Sequence, residues 1–332
     1  MTIVYVNQQG AVVRRDGGQL RVTFNKQTLL TIPMNDLEQL QVFGNVQINT
    51  QAVALLLRAE IDVVFLSMYG QYRGRLLALE SRFAQRRHAQ LRMVDDEARS
   101  LAVAQSIVVG KIKNQRVILQ RRAAANPAIG RAVTGMMSMA EAAERVQSLD
   151  QLRGYEGKAA AFYFEALRTF FDPAWGFETR NYYPPRDPAN ALLSFLYAKL
   201  RYDVETKLQL VGLDSYLGVF HALGYDRPAL ALDLMEEFRP IIADVVALDL
   251  VGGQKLTPDD FERANTEAQP IRMTRNAMKT VTAAYEARMA DQVFHKLANG
   301  QTDYRRVLEL QARLFVQIVE GKAPHYEPVQ IR

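Results

Sequence analysis

Residues 151–171 read QLRGYEGKAAAFYFEALRTFF. When successive residues are spaced about 100° apart, the large apolar side chains fall on one broad arc, which predicts an amphipathic helix with a buried face. Glu156 falls in the middle of that arc. An ionised carboxylate there is costly unless it is paired or holds a metal ion, so Glu156 is either a metal-binding or catalytic residue or the partner of a buried arginine. Gly154 and Gly157 flank it and would let a helix or a ligand approach closely.

The pattern of the chain changes near residue 80. Residues 11–24 predict a hairpin that turns at Asp16-Gly17-Gly18, since glycine supplies the positive φ values of such turns. Thr50 is expected to cap a helix over residues 50–59. Further strands are predicted at 28–33, 39–43, 46–49 and 63–67, and the 3.6-residue period of helices then covers 81–126, 151–171, 190–210, 229–250, 272–297 and 304–320.

These patterns predict an α+β fold. A small β-rich N-terminal domain, residues 1–80, is followed by a larger all-α domain, residues 81–332. We expect residues 324–332 to form a mobile or docking tail.

The composition excludes several kinds of site. The 332 residues include no cysteine, which rules out disulfides, zinc–thiolate sites, iron–sulfur clusters and a thiol nucleophile, and fits a reducing cytoplasm. The first residues lack the pattern of a signal peptide, and no apolar run reaches the roughly 18 residues that span a bilayer. We therefore expect a cytoplasmic protein without a membrane partner.

Positive charge is concentrated between Arg82 and Arg122. This segment holds ten basic residues and only three acidic ones, within a chain of net charge +5. Such a surplus is typical of a surface that follows nucleic-acid phosphates, and equally of a solvated helix face.

Two further elements supply polar groups. Asp233, Glu236 and Glu237 lie three and four residues apart on a predicted helix, opposite its apolar face, which by periodicity alone favours an exposed acidic surface. His221 precedes them among apolar and small residues, where a histidine is usually part of the core. Together with Glu156 they form a mixed oxygen and nitrogen set suited to Mg²⁺ or Mn²⁺.

Four stretches carry a resemblance to a known family. They are LRGYEGKAA at 152–160, PPRDPANALLSF at 184–195, LGVFH at 217–221 and LDLMEEFRP at 232–240. In order and spacing they resemble the universal nuclease–integrase of CRISPR spacer adaptation. This resemblance runs from the opening strands to the closing helix.

The resemblance implies a metal site and a reaction. Glu156, His221 and Glu236 would ligate Mg²⁺ or Mn²⁺, and Asp233 would lie in or beside the site. Arg186, Asn190 and Arg239 would shape the site or contact phosphate.

The activity implied is metal-dependent phosphoryl transfer on double-stranded and branched DNA. Attack by a 3′-hydroxyl inserts a spacer into a CRISPR array, and attack by water cleaves DNA. The implied assembly is a homodimer formed through the β domain, bound to a small ferredoxin-like companion protein.

Two other functions compete with this one. In a non-catalytic helical DNA-binding scaffold, Glu156 would be a structural ion pair and the acidic face would be solvated. A small-molecule metallophosphohydrolase is disfavoured because Ala222, not aspartate, follows His221.

Overall fold

The computed structural model describes residues 2–35, 37–66, 72–76, 81–123, 126–181, 184–225, 227–263 and 271–331. They form two compact units, residues 1–85 and 86–332, and the division falls inside the helix that follows the predicted boundary near residue 80. The predicted fold class is confirmed, because a strand-rich N-terminal region precedes a larger helical region.

The described residues of the first unit form eight strands, one complete helix and the start of a second helix. The strands and the complete helix are β1 (Thr2–Val6), β2 (Val12–Asp16), β3 (Gln19–Phe24), β4 (Gln27–Ile32), β5 (Leu37–Phe43), β6 (Gln47–Ile48), α1 (Thr50–Arg58), β7 (Asp62–Leu66) and β8 (Tyr72–Leu76). One sheet has the order β1-β5-β7-β8 and is parallel except for its last pair, and the other has the order β4-β3-β2-β6. Leu20, Leu40 and Leu56 are fully buried in the core of this unit.

The predicted hairpin is present, with β2 antiparallel to β3 and Gly17 at φ +61° in the turn. The predicted cap of α1 is wrong by one residue. Asn49, not Thr50, is the N-cap, and its side-chain oxygen accepts the amide of Ala52 at 2.9 Å. The end of the strand predicted at 63–67, Ser67, lies outside the described residues.

The second unit is built mainly of helices. These are α2 (Ser81–Asp95), which begins in the first unit, α3 (Glu97–Ala123), α4 (Pro127–Ala143), α5 (Leu149–Arg168), α6 (Pro188–Leu210), α7 (Ala229–Met235), a π-helical segment (Arg239–Asp244), α8 (Val245–Gly252), α9 (Arg275–Ala290) and α10 (Tyr304–Val319). Short 3₁₀ turns lie at Pro173–Trp175, Pro258–Asp260 and Lys296–Ala298. Two small antiparallel ribbons complete it, β9 (Phe261–Arg263) with β10 (Ile271–Met273) and β11 (Gln292–His295) with β12 (Gly300–Asp303).

Several helix predictions need correction. The helix predicted over 81–126 is two helices separated at Asp96, and α4 was not predicted. The segment 272–297 is α-helical only over α9. Within residues 229–250 the first α-helix ends at Met235, and a π-helical segment begins at Arg239. Pro240, at the start of this segment, has no amide hydrogen to donate. π-Helical turns are rare and often lie at functional sites.

None of the helices in the described part of the chain is long and apolar enough to cross a membrane.

Candidate active site

A cavity of about 640 Å³ lies in the helical unit, and the three predicted metal ligands line it. Glu156 projects from α5, His221 from the segment before α7, and Glu236 from the turn that follows α7. Glu156 is about one-fifth exposed, His221 slightly less, and Glu236 is buried. The space beside Gly157 is open and borders the cavity, so the absence of a side chain there leaves room for a ligand.

One lysine connects the two glutamates. Lys111 of α3 places its Nζ 2.5 Å from Glu156 Oε1 and 2.5 Å from Glu236 Oε2. Burial alone would lower the pKa of Lys111, but the negative charges of Glu156 and Glu236 outweigh it and raise this pKa above its ordinary value. Glu236 Oε2 is fully buried. It forms an ion pair with Lys111, but the geometry is not that of a well-formed hydrogen bond.

Glu236 lies among positive charges. Arg239 Nη1 is 3.3 Å from Glu236 Oε1, and His221 Nε2 is 3.8 Å from the same oxygen. Burial would raise the pKa of Glu236, but the charges of Arg239 and Lys111 outweigh it and lower this pKa to about 2. The carboxylate is therefore ionised at neutral pH.

Asp233 holds the segment that carries His221. Its buried carboxylate accepts the amide hydrogens of Val219 at 2.6 Å, Phe220 at 3.0 Å and His221 at 2.8 Å. Gly218 permits this approach, since a Cβ there would lie 2.7 Å from Asp233 Oδ2.

The same carboxylate orients the imidazole ring. His221 Nδ1 lies 2.7 Å from Asp233 Oδ1, so it donates to this oxygen and a neutral ring has its lone pair on Nε2. Asp233 therefore directs the lone pair towards Glu236 without itself lining the cavity.

The predicted exposed acidic face is wrong. Asp233, Glu236 and Glu237 are all buried, because the helix ends at Met235 and the chain then turns, so the three carboxylates point to different partners. Glu237 faces the C-terminal tail, where it accepts the hydroxyl of Tyr326 at 2.6 Å and the amide of Val329 at 2.5 Å. Burial raises the pKa of Glu237 to about 7, although these hydrogen bonds oppose the shift. The tail, predicted to be mobile or docked, is docked.

Two arginines share an aromatic ring at the cavity. The guanidinium carbons of Arg180 and Arg239 lie 5.3 Å and 4.9 Å from the centroid of the Tyr197 ring, and all three residues line the cavity. Tyr197 donates its hydroxyl to the buried Asp244 at 2.6 Å, as does Tyr163 at 2.7 Å. This network fixes the ring on which the two cations lie.

The supporting residues predicted from sequence do not all lie at the cavity. Arg239 lines the cavity, and buried Asn190 accepts a hydrogen bond from Arg180 Nη1 at 2.8 Å. Arg186 is exposed and does not line the cavity; Arg180, which sequence reasoning missed, does. No sequence signal distinguishes Arg180, which lines the cavity, from Arg186, which does not. Nor does any signal identify Lys111, because the charge pattern groups it with the surface cations of its helix.

The basic segment is not one continuous phosphate-binding surface. Lys111 is buried, Lys113 pairs with Glu144, and Arg122 pairs with Asp249. Arg87 and Arg92 remain exposed. The observed arrangement is therefore a mixture of internal ion pairs and solvated cations.

The donor set suits a hard divalent cation. Glu156 and Glu236 come from different segments and share the positive charge of Lys111. Glu236 Oε2 is buried without a well-formed hydrogen bond, and the oriented Nε2 of His221 lies nearby. Within the described ranges, however, no three acidic or histidine side chains converge closely enough to hold a metal ion. Lys111 stands between the two glutamates and occupies the position that a metal ion bound to both would need.

Comparisons with known proteins identify the family of this chain. The model of the family "CRISPR associated protein Cas1" matches residues 4–287. The CRISPR-associated endonuclease Cas1 3 of Thermus thermophilus is 36% identical, and the match covers 99% of this chain and 97% of that protein.

Two solved structures share the fold. A casposase bound to its integration product has a TM-score of 0.82 at 18% identity and covers 100% of both chains. A chain of a partial Cas6-RT-Cas1–Cas2 complex has a TM-score of 0.79 at 23% identity, over 100% of this chain and 99% of that one. On the family match and the identity to the Thermus protein, this chain belongs to the CRISPR-associated Cas1 family.

Proposed function

We propose that this protein is a metal-dependent DNA endonuclease and integrase that inserts spacer DNA into a CRISPR array. The observation that carries the proposal is the pairing of Glu156 and Glu236 around a single positive charge, with His221 Nε2 3.8 Å from Glu236. The name of the Thermus relative supports an endonuclease, and the casposase bound to its integration product supports integration chemistry on this fold.

Glu156, Glu236 and His221 would hold Mg²⁺ or Mn²⁺. When bound, such an ion would polarise the scissile phosphate and neutralise charge that develops in the transition state. Asp233 keeps the His221 ring in the orientation that presents Nε2, which is the role of a positioning residue.

The cavity also suits a phosphodiester. The described charged lining consists of five cations, Lys111, Arg168, Arg180, Arg227 and Arg239, and four acids, Glu156, Glu165, Glu178 and Glu236, which leaves an excess of one positive charge. This excess of positive charge attracts a nucleic-acid backbone, and the paired guanidiniums of Arg180 and Arg239 are suited to bind phosphate oxygens. A DNA 3′-hydroxyl would then be the attacking group in integration, and water in cleavage.

The proposed assembly is a homodimer formed through the β-rich unit, together with a small ferredoxin-like companion protein. The Cas6-RT-Cas1–Cas2 complex, which contains a chain of this fold, supports a Cas partner for the present protein. Light scattering of the purified protein tests the dimer, and monomer mass at micromolar concentration would contradict it.

The test of function uses branched DNA in Mn²⁺, Mg²⁺ or chelator. We expect wild-type protein to cleave it only with metal, and Glu156→Ala and His221→Ala to lose cleavage while remaining folded. The matched controls are Glu141→Ala and His88→Ala, which change an exposed carboxylate and an exposed imidazole. Cleavage that persists in Glu156→Ala would contradict the proposal. DNA binding without any metal-dependent chemistry would favour the scaffold.

A further inference from the structure

Lys111 is the feature of the site that the proposed function leaves unexplained. Its side chain is only 7% exposed in the middle of α3, and its ammonium group contacts both glutamates proposed as metal ligands. Buried lysines are rare unless paired. Here the pairing uses carboxylate oxygens that a metal ion would also need.

A lysine and a divalent ion cannot occupy this position together. Two cations that shared the same oxygens would lie within a few ångströms and repel each other strongly in a site of low dielectric. Without either cation, Glu156 and Glu236 would face each other as like charges. The site therefore needs positive charge between these carboxylates, and in the present arrangement Lys111 supplies it.

The lysine side chain has room to leave. Its backbone is fixed inside a long helix, but the four-carbon side chain can rotate, and the cavity of about 640 Å³ adjoins it. Arg180 and Arg239 also line this cavity.

We propose that Lys111 is a resident counter-cation that competes with the divalent metal ion for Glu156 and Glu236 and thereby sets the metal affinity of the site. This inference rests on the proposed function, because it requires the metal site. In the metal-free protein Lys111 holds the two carboxylates together. When metal binds, the ammonium group is displaced into the cavity, where it adds to the positive charge that faces the DNA backbone.

The first test measures Mn²⁺ binding by titration calorimetry and thermal unfolding in chelator. Lys111→Met keeps the aliphatic side chain but removes the charge. We expect it to lower the unfolding temperature in chelator and to bind Mn²⁺ at least tenfold more tightly than wild type. The control is Lys113→Met, which changes a partly exposed lysine of the same helix that pairs with Glu144. Unchanged or weaker Mn²⁺ binding by Lys111→Met would overturn the inference.

A second test needs no variant and so holds even if Lys111→Met does not fold. Wild-type protein is treated with an amine-reactive reagent, with and without saturating Mn²⁺, and modification of each lysine is followed by mass spectrometry. We expect the labelling rate of Lys111 to rise severalfold with Mn²⁺ and that of Lys113 to stay constant.

Bound Mn²⁺ without any rise at Lys111 would overturn the inference and leave the metal site standing. Failure of both wild type and Lys111→Met to bind Mn²⁺ would refute the proposed metal site itself, and the inference with it.

Discussion

Replacing Asp233 by asparagine should both destabilise the protein and weaken the site. The carboxylate is fully buried and accepts four donors, namely three successive backbone amides and His221 Nδ1. Each oxygen of the Asp233 carboxylate accepts two of these hydrogen bonds. An asparagine has one acceptor oxygen, so its NH₂ group faces either the amides of Val219 and Phe220 or the amide and Nδ1 of His221. In either orientation at least one backbone amide loses its acceptor, and in the second the imidazole must also change tautomer.

The cost follows from these bonds. A buried donor left without a partner costs about 1–3 kcal/mol, and the two remaining hydrogen bonds lose the assistance of the negative charge. Allowing for local relaxation, we expect Asp233→Asn to lower the free energy of unfolding by about 3–5 kcal/mol. Loss of an orienting partner of a metal-binding histidine should also weaken metal affinity or activity about 10–100-fold.

Urea denaturation followed by circular dichroism measures the first effect, and metal-dependent cleavage of branched DNA measures the second. The matched control is Asp249→Asn, an exposed aspartate paired with Arg122, for which we expect a change below about 1 kcal/mol. If Asp233→Asn were no more destabilising than Asp249→Asn, the four hydrogen bonds would not hold the His221 segment as described.

Three other substitutions test separate parts of the helical unit. Tyr197→Phe removes the hydroxyl bonded to buried Asp244 and should cost about 1–3 kcal/mol in urea denaturation, and no loss would contradict the network. Tyr326→Phe should cost a similar amount, because Glu237 loses a 2.6 Å hydrogen bond, and wild-type stability would argue against a docked tail. Burial raises the pKa of Asp203, so the folded protein holds this proton more tightly than the unfolded chain. The unfolding temperature of wild type should therefore fall relative to Asp203→Asn as the pH rises from about 4 towards 7, and parallel profiles would contradict this.

The sequence predicted the elements that depend on local pattern. The hairpin of β2 and β3 follows from its glycine turn, and α5 follows from the apolar arc that contains Glu156. The four motifs also identified the carboxylates and the histidine that meet at the cavity. These signals succeed because turn geometry and helix periodicity are properties of neighbouring residues.

The missed features depend on contacts between distant residues. The π-helical segment after Glu237 depends on tertiary support, since Arg288 of α9 donates to the carbonyl of Ile241. Lys111 lies 45 residues before Glu156, and nothing in the sequence of its own helix distinguishes it from the partly exposed Lys113. Arg180 borders the cavity in place of Arg186 because Asn190 binds its guanidinium. Such pairings are set by the packing of α3, α5 and α6, which periodicity does not reveal.

Glu156 is proposed to serve the metal-dependent transfer of a DNA 3′-hydroxyl to a target duplex. The most direct measurement is joining of a labelled DNA fragment to a target duplex in Mn²⁺, with a fragment ending in a 3′-hydroxyl compared with one ending in a dideoxynucleotide. We expect wild type and Glu141→Ala to join only the hydroxyl-bearing fragment, and Glu156→Ala to join neither. Joining by Glu156→Ala at the wild-type rate, joining of the blocked fragment, or no joining by wild type would contradict the claim.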